Sequence, residues 1–214
     1  MIIVKQFSVS GFDSNLSYIL YDEISKEAAV VDPAGDVSAM LKHVDEFALR
    51  VRGVILTHTH ADHLDALDDV LLQYEVPVYV HAAGVSTVNA LSVKPIEEDM
   101  ELQLGEYDVS VLYTPGHSID SICLYIDNEA AQARVPQLIS GDTLFVEGCG
   151  RTHEDKVKAL YDSLQMLKVL SPETVVYPGH DYGSTSTSTI GNELENNPYL
   201  KAGDFATFKK LRLS

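Results

Sequence analysis

Apolar residues along the chain fall into two rhythms. Residues 2–7, 15–21 and 27–32 are short runs rich in Val, Ile and Tyr, bounded by polar turns, and read as strands. Residues 36–48 change period: Val37, Met40, Leu41, Val44 and Phe47 recur at helical spacing. The run at 53–57, GVILT, is a buried strand, and residues 63–74 return to the helical period through Leu64, Leu67, Leu71 and Leu72. Further strands are expected at 78–81, 107–113, 121–127, 136–140 and 174–177, and helices at 154–169 and 203–211. Residues 182–191, dense in Ser and Thr, read as a loop leading into 192–197. Strands and helices that alternate in this way predict layered sheets with helices outside.

A length of 214 residues suffices for a sizeable core, and no linker-like segment divides it, so a single domain over 1–214 is expected. The opening residues MIIVKQF lack the pattern of a signal peptide, and no apolar run reaches membrane-span length. Two cysteines, Cys123 and Cys149, are too few for a disulfide framework, which makes the reducing cytoplasm the expected compartment. Charge narrows the partners. With 32 acidic against 15 basic residues the net charge is −17, which argues against a phosphate-tracking nucleic-acid binder and against an anionic membrane surface. A small molecule is the expected partner, with oligomeric state left open.

The densest chemistry lies in Thr57-His58-Thr59-His60-Ala61-Asp62-His63, directly after an apolar strand. In an extended segment residues two apart point the same way, so His58 and His60 face one ion. A turn into a helix would swing Asp62 and His63 onto the same rim to serve a second. Asp62 as a simple helix N-cap is the competing reading. His117, Asp142 and His180 each follow the end of another expected strand, and two of them close the repeated tripeptide Pro-Gly-His, at 115–117 and 178–180. Loops at strand ends converge on one edge of layered α/β folds, where ligand sites gather. Imidazoles and carboxylates accept zinc, iron or manganese, with zinc the first expectation.

THTHADH followed by PGH, SGD and YPGHDYG, in that order, resembles the metallo-β-lactamase superfamily. That resemblance implies a four-layer αββα sandwich over nearly the whole chain. Through residues 141–151, GDTLFVEGCGR, the chain further resembles the glyoxalase II branch, the hydroxyacylglutathione hydrolases, and its relatives the persulfide dioxygenases. The resemblance implies two divalent metal ions: one held by His58, His60 and His117, the other by Asp62, His63 and His180, with Asp142 bridging. It also implies hydrolysis of an acyl-thioester such as a hydroxyacylglutathione. Asp142 would position the ions, and Asp62 would orient the nucleophile as well as ligate. In the dioxygenase alternative a single iron uses His58, His117 and Asp142. A non-catalytic binding scaffold is the third reading; loss of ligands would mark it, and none of the seven is missing.

Arg151, a fork-shaped donor suited to a carboxylate, is expected to contact substrate together with His153 and Tyr182. Thr152 and His153 stand where the glyoxalase II branch commonly has an aromatic pair. Asp32, at a strand end, either orients a ligand histidine or opens the Asp32-Pro33 turn. His43 reads as solvated, His81 as structural, Cys123 as core and Cys149 as a small residue in a tight loop.

Overall fold

The computed structural model describes residues 1–11, 13–97, 100–127 and 135–214. A first six-stranded sheet runs in sequence order: β1 (Ile2–Ser8), β2 (Leu16–Asp22), β3 (Glu27–Val31), β4 (Arg50–Ile55), β5 (Val78–His81) and β6 (Val93–Ile96). β1, β2 and β3 pair antiparallel, and β3 to β6 pair parallel. A second sheet is built from β7 (Glu101–Leu104), β8 (Tyr107–Tyr113), β9 (Ile122–Ile126) and β10 (Gln137–Gly141). After the short hairpin of β11 (Leu144–Phe145) and β12 (Gly148–Cys149), β13 (Val175–Pro178) and β14 (Ser188–Thr189) complete it in the order β14-β13-β10-β9-β8-β7. β10 and β13 are parallel neighbours, so both deliver the residues that follow them to the same edge.

The layering follows from strand alternation. Ile19, Val30 and Val54 face outward from the first sheet and pack with Met40 and Val44 of α1 (Ser38–Glu46) and Val70 of α2 (Leu67–Gln73). Their neighbours Leu20, Val31 and Ile55 face inward and meet Val109, Val111, Leu124 and Ile139 of the second sheet. Beyond that sheet, Cys123, Leu138 and Val176 pack with Leu160, Leu164 and Leu167 of α3 (Val157–Leu167), Ile190 of α4 (Ile190–Asn196) and Phe208 of α5 (Phe205–Leu213). Three apolar layers separate four layers of structure, which is the αββα sandwich. Among the described residues no helix is long and apolar enough to cross a membrane.

Several expectations change. The helix expected over 63–74 is a 3₁₀ turn, Ala61–His63, followed by α2 from Leu67 onward. Residues 64–66 are instead tied to the loop after β3: Ala66 N–H donates to Pro33 O at 3.1 Å and Gly35 N–H to Asp65 Oδ1 at 2.8 Å. α4 begins in the last two residues of the stretch read as a loop and continues through 192–196, for which the sequence predicts no element; it is capped by the Thr189 hydroxyl, which accepts from Asn192 N–H at 3.1 Å. His43 is half-buried rather than solvated, stacked on Phe47 with ring centroids 4.2 Å apart. Burial of that imidazole pushes its pKa down, aided by Lys5.

Candidate metal centre

β4 ends at Ile55, and the chain continues along the sheet: Leu56 N–H donates to Tyr79 O at 2.9 Å and Thr57 N–H to Asp32 Oδ1 at 2.7 Å. His60 is still extended at φ −67°, ψ 143°, and the 3₁₀ turn begins after it. This sharp change from strand to turn brings the side chains of His58, His60, Asp62 and His63 to one rim. The other three arrive from the second sheet: His117 after β8, Asp142 after β10 and His180 after β13.

All seven converge. Nδ1 of His60 lies 3.1 Å from Nε2 of His58 and 2.9 Å from Nε2 of His117. Nε2 of His63 and Nε2 of His180 are 3.2 Å apart, and Asp62 Oδ2 is 3.7 Å from the first and 3.5 Å from the second. Asp142 stands between the groups. Its Oδ2 is 3.4 Å from His117 Nε2 and 3.3 Å from His180 Nε2, and its Oδ1 is 3.3 Å from His63 Nε2. Ligand-type atoms of His58, His60 and His117, of His58, His63 and Asp142, and of Asp62, His63 and His180 each cluster within 4.8 Å.

The outward side of four of the five rings is fixed by an oxygen, which selects the nitrogen turned inward. His117 Nδ1–H donates to Arg151 O at 2.8 Å and His180 Nδ1–H to Asp13 O at 2.7 Å. His63 Nδ1–H donates to Asp32 Oδ2 at 3.1 Å. His58 Nδ1–H donates to the Thr57 hydroxyl at 3.2 Å, which in turn donates to Asp32 Oδ2 at 2.6 Å. Asp32 therefore orients His63 directly and His58 through Thr57, the first of the two roles the sequence leaves open. Asp62 is not a helix cap: its carboxylate accepts from Asn15 Nδ2 at 3.0 Å.

The electrostatics fit a cation. Burial lowers the pKa of His58, and the neighbouring His63 lowers it further, so this imidazole is neutral and free to ligate. Burial also opposes protonation of His63, but the adjacent carboxylates of Asp142 and Asp32 outweigh it and raise its pKa well above the ordinary value. The Asp142 carboxyl would be pushed up by burial; His180 and His63 overcome this and hold it far below the carboxylate range. Asp142 Oδ1 is nonetheless buried without a hydrogen-bond donor among the described residues. Converging lone pairs, two ionised carboxylates and an orphaned buried oxygen are the donor set that hard and borderline divalent ions take.

Above the centre opens a cavity of about 610 Å³, lined on its far walls by Phe145, Arg151, Tyr182, Tyr199 and Arg212. Tyr182 stacks on His180 with centroids 4.7 Å apart and planes 3° from parallel, and its hydroxyl donates to Asp13 Oδ2. His153 does not belong to this lining: it is exposed, and its carbonyl accepts from Lys156 and Val157 N–H to start α3. Cys149 reaches the lining, but burial pushes its thiol up to about 12, which leaves no thiolate at neutral pH. Sequence reasoning missed Asp13, Asn15, Tyr199 and Arg212. The first two sit in a polar turn with no local chemical pattern; Tyr199 lies in the turn between α4 and α5, and Arg212 in the last turn of α5, where nothing local points to the cavity.

The family model described as metallo-beta-lactamase superfamily matches residues 10–180. The hydroxyacylglutathione hydrolase of Hahella chejuensis (strain KCTC 2396) is 36% identical over 174 residues, 81% of this chain and 64% of that protein. The chain thus spans just under two thirds of that relative's length. The probable polyketide biosynthesis zinc-dependent hydrolase PksB of Bacillus subtilis (strain 168) is 29% identical over 204 residues, 93% of this chain and 87% of that one. The solved structure of ETHE1 from Myxococcus xanthus is similar with a TM-score of 0.86 and 30% identity, covering 99% of this chain and 90% of that chain.

Proposed function

Because the chain belongs to the metallo-beta-lactamase superfamily, we propose that it is a metal-dependent hydrolase acting on an acyl-thioester of a small thiol through two divalent ions. His58, His60 and His117 hold one ion, and Asp62, His63 and His180 hold the other. The observation that carries this reading is Asp142, whose Oδ2 lies within 3.4 Å of a ring nitrogen from each group. Two ions held by these residues would supply hydroxide at neutral pH and polarise a carbonyl. The chain's own residues do the rest. Asp62, held by Asn15, accepts a hydrogen bond from an incoming water and aims it. Arg151 and Arg212 give the cavity a basic wall for an acidic group on the thiol, and the Tyr182 and Tyr199 rings pack against its carbon skeleton. The net charge of −17 favours a small thiol over an acidic carrier protein.

A second reading has its own support. The fold likeness to ETHE1 spans nearly all of both chains and fits a glutathione persulfide dioxygenase, in which His58, His117 and Asp142 hold one iron.

Metal content of protein purified without chelator or added metal, followed by a thioester panel including hydroxyacylglutathiones, separates the two. Two ions per chain and thiol release from thioesters are expected. One iron per chain, with oxygen uptake on glutathione persulfide and no thioester cleavage, would replace the hydrolase with the dioxygenase.

A further inference from the structure

The segment after β4 that carries His58 and His60 also carries two threonines, and each donates to a buried aspartate. Thr57 reaches Asp32 Oδ2 at 2.6 Å and Thr59 reaches Asp120 Oδ2 at 2.6 Å. Both aspartates are 1% exposed. Asp32 has a visible task, since it also holds His63. Asp120 lies in the loop after His117, and its second oxygen accepts the Ser118 hydroxyl. One carboxylate therefore joins the residue between His58 and His60 to the residue directly after His117.

Nothing else accounts for Asp120. Among the described residues no ion pair neutralises it, and a carboxylate removed from water with two hydroxyl donors is costly to keep. The surrounding backbone closes over it. A Cβ at Gly84 would collide with Asp120 Oδ2 and lie 2.9 Å from Thr59 Cγ2, so this stretch packs directly on the hydroxyl–carboxylate pair. Further back, Ile122 N–H donates to Thr57 O at 2.8 Å and fixes the base of the same two segments. The Thr59–Asp120–Ser118 bridge fixes their tips, where His60 Nδ1 and His117 Nε2 face each other at 2.9 Å.

We infer that Asp120 is a positioning residue: by binding the Thr59 and Ser118 hydroxyls it locks the His58–His60 segment to the His117 turn and sets the geometry of the three-imidazole group. It does for that group what Asp32 does for His63. The inference rests on reading His58, His60 and His117 as ligands.

The test is stepwise zinc binding to the full chain, by competition with a chromophoric chelator, in Asp120→Ala, Thr59→Val and Thr59→Ser. His60→Ala identifies which binding step belongs to the three-imidazole group. Asp120→Ala and Thr59→Val are expected to weaken that step about 10–100-fold, as loss of a partner behind a metal ligand does. The other step should stay unchanged, and Thr59→Ser, which keeps the hydroxyl, should bind as wild type does. The cobalt-substituted absorption spectrum should shift in Thr59→Val and not in Thr59→Ser. Should Asp120→Ala fail to fold, the Thr59 pair decides the matter. Unchanged zinc binding in folded Thr59→Val, or equal weakening of both steps, overturns the lock. If the wild-type chain binds no zinc, iron or manganese, the ligand reading itself falls and the lock falls with it.

Discussion

Asp142 occupies the position where the two halves of the centre meet, and its two oxygens meet different demands. Oδ2 faces His117 and His180, one from each group, while Oδ1 has His63 beside it and no donor. A neutral side chain there would remove the one carboxylate that faces a ring nitrogen of both groups. Asp142→Ala is therefore expected to lose at least one ion per chain and to lower turnover by orders of magnitude. Elemental analysis and initial rates on the same preparation check this, and full occupancy with normal turnover would refute the bridging role. Much of the centre was legible at this scale, because histidines and aspartates immediately following strands are costly to bury without a partner. What could not be read were the groups behind them. Asp13 acts through its backbone carbonyl, and Asn15 reaches Asp62 from 47 residues away, so neither leaves a trace in the local pattern.

At the level of elements, alternation and helical period were sufficient for the inner strands of both sheets and for α1, α3 and α5. The edges escaped. β6 contains Pro95 and β7 carries Glu101 and Gln103 on its exposed face, so neither shows the apolar run of a buried strand. α4 begins in a Ser/Thr-rich run, and its signal is a capping threonine rather than a stripe of apolar residues. The repeated Pro-Gly-His turns show why glycine precedes each ligand. Gly116 has φ 138°, and a Cβ there would collide with the backbone of Leu160 in α3. Gly116→Ala should cost roughly 1–3 kcal/mol from backbone strain alone. It should also push His117 away from α3, so that activity falls further than stability. Thermal unfolding and kcat measured together test this; a large loss of stability with unchanged kcat would contradict it.

For the whole molecule, the site spans the sandwich. Four of the candidate ligands follow β4 of one sheet and three follow strands of the other, so ions bound there would hold the two sheets together. Removal of metal by a chelator should lower the melting temperature, and re-addition of zinc should restore it. At 100-fold excess over its dissociation constant a single bound ion contributes about 2.7 kcal/mol, and for a chain of this size each kcal/mol moves the midpoint by roughly 2–4 °C. A melting curve indifferent to chelator would mean that the groups hold no ion. The same geometry bears on the order of events during synthesis. His180 is anchored by the carbonyl of Asp13, 167 residues earlier, and loop closures over such separations come late in folding. The run from His58 to His63 leaves the ribosome long before His117, Asp142 and His180 exist to join it. For that interval the nascent chain displays three imidazoles and a carboxylate within six residues, and only closure of the second sheet against the first completes the group.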